Sequence, residues 1–403
     1  MEKAMAPVQI APGIYDVGVN DWNVQDFHGY STPFGTSYNA FLILDEKITL
    51  IDAVKKEFAD ELIANIAAIV DPRKIDIVIS NHTEMDHSGG LPRVMHRIGE
   101  DKPLYCSKMG QKNLALHFPQ KWNFHPVGSG DTLSLGKRTL HFLETRMVHW
   151  PDSMFTFLQE DGILFSSDGF GQHYASLEKF DDALSIDIMP HAQKYYANIL
   201  LLYSNLIAKL LAEVGKMNLG IRMICPDHGI IWRKDPGKIL AAYDRWSRQV
   251  AKRKAIVVYD TMWHSTEAMA DAICEGLHET GVAVRPMHLR RWHRSDIITE
   301  VLDAAAVVVG SPTFNNGLFP TVADFLTYMK GLKPKNKLGA AFGSYGWSGE
   351  AVKLILDELQ DMRFELVSQG IRHQYVPNSE ALEACKAFGK SLGARIIESV
   401  PEK

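Results

Sequence analysis

Residues 75–90 read IDIVISNHTEMDHSGG. The first six are an apolar, β-branched run of strand length, and the remainder of the stretch is mostly polar or small. His82, Glu84, Asp86 and His87 therefore fall within six residues directly after a strand. Three more candidates stand downstream, each where a strand gives way to a loop: His149 in MVHWPDS, Asp168 in LFSSDGF and His228 in ICPDHG. In an αβ domain such strand ends gather along one edge of the sheets, so residues far apart in sequence can converge. Four imidazoles and three carboxylates exceed what one tetrahedral zinc needs. They suit two divalent or trivalent metals of octahedral preference with open positions, Asp168 bridging. Imidazole mixed with carboxylate favours iron, manganese or zinc over copper. His28, His125, His141, His173 and His264 read as surface or satisfied histidines, and Asp227 as a turn residue.

Around this loop, short apolar runs at 38–44, 48–52 and 139–144 read as strands, and helical patterns cover about 56–69, 192–216 and 237–251. After residue 250 strands and helices alternate strictly. Apolar runs at 254–260, 282–289, 305–310 and 338–343, with a strand near 363–368, are separated by helices. That rhythm implies a parallel sheet covered on both faces, with the size of a flavodoxin-like doubly wound domain. The expected domains are 1–250 and 254–403, joined by the short basic stretch SRQVAKRK.

Three loops of the second domain sit at strand C-termini. The first carries Thr261, Met262, Trp263, Ser265 and Thr266 ahead of a helix. Hydroxyls at a helix N-terminus form a natural phosphate site. The loop resembles the flavodoxin pattern T/S-x-T-G-x-T, departing from it at Trp263 and His264, which take the Thr and Gly positions. The second carries Pro312, Thr313, Phe314, Asn315 and Asn316, and the third Ser344, Tyr345, Gly346, Trp347 and Gly349. Together they offer amides, hydroxyls and aromatics suited to FMN. A GxGxxG fingerprint with a ribose-binding acid is missing, so a dinucleotide is not expected.

The metal loop carries a resemblance. A strand followed by HxHxDH, then a distant His, Asp and His, is the pattern of the metallo-β-lactamase fold. Here the second histidine is Glu84, and HxExDH resembles the flavodiiron proteins. The whole chain matches that family's minimal layout, a metallo-β-lactamase-like αβ/βα domain followed by a flavodoxin-like doubly wound parallel sheet. The resemblance implies a non-haem diiron centre: His82, Glu84 and His149 on one iron, Asp86, His87 and His228 on the other, Asp168 between them. Asp52 looks like the aspartate that supports the ligands in this fold. Tyr195, Tyr196 and His28 resemble residues around that centre, and on sequence alone read as packing residues. The implied activity is reduction of dioxygen to water, of nitric oxide to nitrous oxide, or both. A rubredoxin-like protein would supply electrons through FMN, in a head-to-tail homodimer or dimer of dimers. Reduced FMN and a diferrous centre hold four electrons, enough for one dioxygen; two suffice for two nitric oxides. The rival is a dizinc metallo-hydrolase of the same fold fused to a flavodoxin-like domain. Glu84 separates the two, since such hydrolases normally have His there. A third reading, an electron carrier whose first domain is only a scaffold, sits poorly with seven intact ligand candidates.

Composition narrows the classes further. Of 403 residues, 46% are hydrophobic and 23% charged, which excludes a disordered or fibrous chain. A net charge of −5 gives no reason to expect nucleic acid. With no run of eighteen apolar residues, no membrane span is expected, and the N-terminus does not read as a signal peptide. Sixteen histidines stand against four cysteines, without a CxxC pair. No disulfide framework, thiolate-bound iron or iron–sulfur cluster is expected, and the cytosol is the default compartment.

Overall fold

Alternation along the central strands of the first domain sorts their side chains onto two faces. Phe41, Ile43, Ile51, Ile77 and Ile79 face one way; Leu42, Leu50, Val78 and Leu104 face the other. The computed structural model, which describes residues 6–401, shows what each face meets. The chain forms two compact units. One holds the chain through His28, Thr32–Tyr196 and Asn205–Asp244; the other holds Gly29–Ser31, Ala197–Ser204 and the chain from Arg245 onward.

In the first unit a seven-stranded sheet runs in the order Val8–Ala11, Ile14–Asp16, Phe41–Ile43, Thr49–Ile51, Ile77–Ser80, Pro103–Ser107, Asn123–Val127. Its first four strands pair antiparallel and the rest parallel. The Leu42 face packs on helices through Leu62, Ile66, Leu91, Val94 and Leu114. The Phe41 face packs on a second sheet through Leu140, Phe142, Met154, Leu158 and Phe165. That sheet has the order Thr132–Ser134, Thr139–Glu144, Met154–Leu158, Ile163–Phe165, Met223–Cys225. On its far side Phe170 packs between Phe155 and Tyr243 of helix Pro236–Ser247, completing an αβ/βα sandwich.

The second unit is a parallel sheet in the order Ala283–His288, Lys252–Tyr259, Ala304–Gly310, Leu338–Tyr345, Glu365–Leu366, with Ile371–Gln374 also on the edge. This is the expected doubly wound arrangement. Helices Ser265–His278 and Ser379–Ser399 share one face with Val257, Val308 and Phe342. They cross closely because Gly276 and Gly389 lack side chains; a Cβ at either would strike the other helix's backbone.

Four expectations shift. The run 38–44 divides into Thr36–Tyr38 and Phe41–Ile43, which belong to different sheets. The break is at Asn39, whose buried amide donates to Pro226 O and Gly229 O. The strand near 363–368 becomes Glu365–Leu366 and Ile371–Gln374. The edge turns away at Gly370 (φ +82°), whose N–H donates to Ser368 Oγ, and then re-pairs further along Leu338–Tyr345. The helical run near 192–216 covers Met189–Met217 but widens to a π turn at Tyr196–Leu200 and tightens at Leu201–Tyr203. By length and composition this stretch could cross a membrane, unlike the expectation from apolar runs alone. Its Leu200, Leu201, Ile207 and Leu210 are buried, whereas Leu202, Leu206 and Met217 are exposed.

Candidate metal centre and flavin edge

Strand Ile77–Ser80 ends two residues before His82, and the short helix Met85–Ser88 turns Asp86 and His87 inward. Asp52 anchors the start of this loop. It sits at φ +59° beyond strand Thr49–Ile51 and accepts Asn81 N at 2.7 Å and Asn81 Nδ2 at 2.8 Å. Burial pushes its carboxyl up to about 6. It supports the loop without touching the candidate ligands. Strands Thr139–Glu144, Ile163–Phe165 and Met223–Cys225 all run in one direction, so the loops bearing His149, Asp168 and His228 leave the second sheet at one end.

All seven candidates converge. His82, Glu84, His149 and Asp168 form one group, and Asp86, His87 and His228 another, each with ligand atoms within 4.8 Å of one another. Asp168 faces both. Its Oδ2 lies 2.8 Å from His149 Nε2 and 3.5 Å from His82 Nε2; its Oδ1 lies 3.1 Å from His87 Nε2 and 3.6 Å from His228 Nε2. Glu84 Oε2 closes the first group at 3.3 Å from His82 and 3.2 Å from His149. Asp86 Oδ2 closes the second at 3.2 Å from His87 and 3.1 Å from His228.

The donor set fits two cations. His87 Nε2 and His228 Nε2 point at each other across 3.1 Å. Asp86 Oδ1 and Asp168 Oδ1 are buried without a hydrogen-bond partner. Such groups are costly unless a cation neutralises them. Burial opposes charging of His82 and His87, yet the surrounding carboxylates hold both well above the ordinary imidazole value. Burial likewise opposes ionisation of Asp86 and Asp168, and the imidazoles hold them well below the carboxylate range. Metal binding there displaces protons.

The far sides of the rings are held too. His228 Nδ1 is 2.7 Å from Ser37 O. His82 Nδ1 is 3.4 Å from Asp152 Oδ2, which also accepts Thr83 N at 2.8 Å, while Asn113 Nδ2 donates to Asp152 Oδ1. Asp152 is not among the sequence candidates, although it stands three residues after His149 in MVHWPDS. Asp227, read as a turn residue, is fully buried with Oδ2 3.8 Å from His87 Nδ1, and burial raises its carboxyl far above the usual range.

His173, also read as a satisfied or surface residue, is buried. Its Nδ1 is 2.8 Å from Thr36 Oγ1, and its ring lies 4.8 Å from that of His228 and 5.1 Å from that of Tyr195. Tyr195 therefore borders the cluster, whereas Tyr196 packs on Tyr243. His28 stays mostly exposed with Nε2 3.6 Å from Glu84 Oε1.

In the second unit the three loops come after strands Lys252–Tyr259, Ala304–Gly310 and Leu338–Tyr345, at the C-terminal edge of the sheet. Ser344 and Tyr345 are the last residues of their strand rather than loop residues. Two hydrogen bonds lace the loops together: Thr266 Oγ1 is 2.9 Å from Ser344 Oγ, and Thr313 N donates to Ser344 O. Thr261 Oγ1 is buried without a partner, the kind of group a phosphate would satisfy. Trp263 and Trp347 are 83% and 87% exposed, leaving aromatic faces open beside these loops. His264 occupies the pattern's glycine position in the left-handed conformation, φ +64°, with Nδ1 2.6 Å from Glu267 Oε2. The loop keeps the glycine's backbone without the glycine.

Comparison with known proteins agrees with both halves. Residues 36–229 match the model of the ODP family beta lactamase, and residues 257–389 match Flavodoxin. The chain is 47% identical over 397 residues to the nitric oxide reductase of Moorella thermoacetica, covering 97% of this chain and 99% of that one. It is 42% identical over 400 residues to the rubredoxin-oxygen oxidoreductase of Megalodesulfovibrio gigas, covering 98% and 99%. The solved flavodiiron protein of Giardia intestinalis superposes with a TM-score of 0.95 at 38% identity, over 99% of each chain. The chain belongs to the flavodiiron protein family.

Proposed function

We propose that this protein is a flavodiiron oxidoreductase that reduces dioxygen to water, nitric oxide to nitrous oxide, or both, with electrons from an external donor. The observation that carries the reading is Asp168, whose two oxygens face two separate imidazole–carboxylate groups. Full-length similarity to proteins named nitric oxide reductase and rubredoxin-oxygen oxidoreductase supports it over a dizinc hydrolase.

The assignment is His82, Glu84 and His149 on one iron, Asp86, His87 and His228 on the other, with Asp168 joining them. Thr261, Met262, Trp263, Ser265 and Thr266, Pro312–Asn316, and Ser344–Trp347 with Gly349 would receive FMN. Residues 1–250 make the diiron domain and 254–403 the flavin domain. When bound, the irons and FMN supply the redox chemistry. The chain's own residues orient and neutralise. Asp168, Asp86 and Glu84 carry the negative charge that makes two closely spaced cations tolerable. Ser37 O and Asp152 fix the far nitrogens of His228 and His82, so each ring presents Nε2 inward. The electron donor is rubredoxin-like, as the name of the Megalodesulfovibrio relative suggests for that protein. We assign a head-to-tail homodimer or dimer of dimers. Four unpaired cysteines suit a reducing compartment, and we assign the cytoplasm.

Metal and flavin analysis of the purified protein, with anaerobic turnover on reduced rubredoxin and either gas, tests the reading. Two irons and one FMN per chain with gas consumption are expected. Two zincs without flavin absorbance would overturn it.

A further inference from the structure

Asp260 comes directly after the first strand of the second unit and immediately precedes Thr261. It is fully buried. Groups from three segments converge on its carboxylate. Thr261 N donates to Oδ1 at 2.6 Å. Thr321 Oγ1, in the first turn of helix Pro320–Leu332, donates to Oδ2 at 2.6 Å. Arg290 Nε lies 3.0 Å from Oδ1 and 3.2 Å from Oδ2, and His288 Nε2 lies 3.7 Å from Oδ1. The Arg290 guanidinium then reaches past the carboxylate and donates to Thr261 O at 3.0 Å.

Thr261 is therefore held at both its N–H and its C=O. With its amide committed to Asp260, the polar group it has left for a ligand is the hydroxyl, and Oγ1 is the buried atom without a partner. A buried carboxylate is costly unless well paired. This one is paired by the first loop, the helix after the second loop and the segment after strand Ala283–His288.

We propose that Asp260 is a positioning residue for the flavin phosphate: with Arg290 and Thr321 it sets the first loop in the form that accepts a phosphate monoester dianion. This rests on the reading of that edge as the FMN site. In this role Asp260 acts by fixing Thr261 and by keeping the Arg290 charge beside the loop. Its loss should then weaken binding of the phosphorylated flavin far more than that of riboflavin, which lacks the phosphate.

The test is flavin-fluorescence titration of the deflavinated full-length chain with FMN and with riboflavin. Asp260→Ala should weaken FMN by about 100-fold and riboflavin by less than about threefold. Asp260→Asn keeps an acceptor for Thr261 N but loses the charge that holds Arg290, so about tenfold is expected, and Arg290→Met should match it. Should Asp260→Ala not fold, the other two variants carry the test. Equal losses for FMN and riboflavin, or unchanged FMN affinity in both Asp260→Asn and Arg290→Met, would overturn the proposal. Thr266→Ala separates this failure from failure of the site itself. If that variant binds FMN normally, the reading of the edge is wrong. If it loses FMN while the Asp260 variants do not, only the role of Asp260 falls.

Discussion

Around Asp168 the candidate ligands are interior side chains, with His82 and His87 wholly buried. Around Thr266 the candidate flavin contacts include Trp263 at 83% exposure and Trp347 at 87%. The first region is defined by heteroatoms: imidazole and carboxylate must stand at fixed points or two cations have no seat. The second is defined by backbone course, and several side chains can serve once the loops are shaped. Substitutions should therefore act sharply in the first region and by degrees in the second.

The largest effect is expected at the atoms the two metal groups share. Asp168→Ala, or Glu84→Ala, should reduce dioxygen and nitric oxide consumption to background while FMN content stays at one per chain. Full activity in either variant would break the assignment. A step outward, Asp152→Ala removes the partner of His82 Nδ1. Iron affinity, read by competition with a chelator, should fall by about 10- to 100-fold with the fold retained. Unchanged iron affinity would mean that Thr83 N and Asn113 alone account for Asp152.

The other unit buries an amine. Lys337 is 3% exposed and donates to Leu302 O and Ala304 O. Burial pulls its amine down to about 7 from the ordinary 10.5, opposed by nearby Asp303. The folded state thus sheds this proton more readily than the unfolded chain. Between about pH 7 and 10.5 the unfolded chain binds more protons, so stability from this group rises with pH, by up to ~1.4 kcal/mol per unit. Below about pH 7 the full burial cost is present. Lys337→Met should flatten the thermal-stability profile across that window; an identical slope in the variant would show that other groups set it.

The same contrast explains what is legible in the sequence. His82, Glu84, Asp86 and His87 can be read there because their chemistry is local and their spacing compact. His149, Asp168 and His228 join them because strand ends share an edge. Asp152 and Asp227 escape because a lone aspartate in a loop carries no mark of its partner, and only folding brings each beside an imidazole. The split of 38–44 is hidden for the same reason. Asn39 interrupts an apolar run to hold the loop bearing His228, a contact across the domain that no periodicity records. In the flavin unit the strand rhythm is plain, but a loop built on backbone conformation tolerates His264 where the pattern has Gly.

The smallest expected effect tests that last point. At φ +64° a non-glycine side chain costs roughly 1 kcal/mol. His264→Gly removes that strain, but the freer unfolded chain takes back roughly 0.4–1 kcal/mol. The His264–Glu267 contact that is lost is largely exposed and worth little. The terms nearly cancel, so thermal stability should barely move and FMN affinity should stay within about a factor of three of the parent. His264→Val has no such compensation. A β-branched residue resists the left-handed region, so the loop should shift and FMN affinity drop by about tenfold. If instead glycine and valine weaken FMN equally, the imidazole itself serves the flavin, and the claim that backbone course defines this edge fails at the position where it is easiest to check.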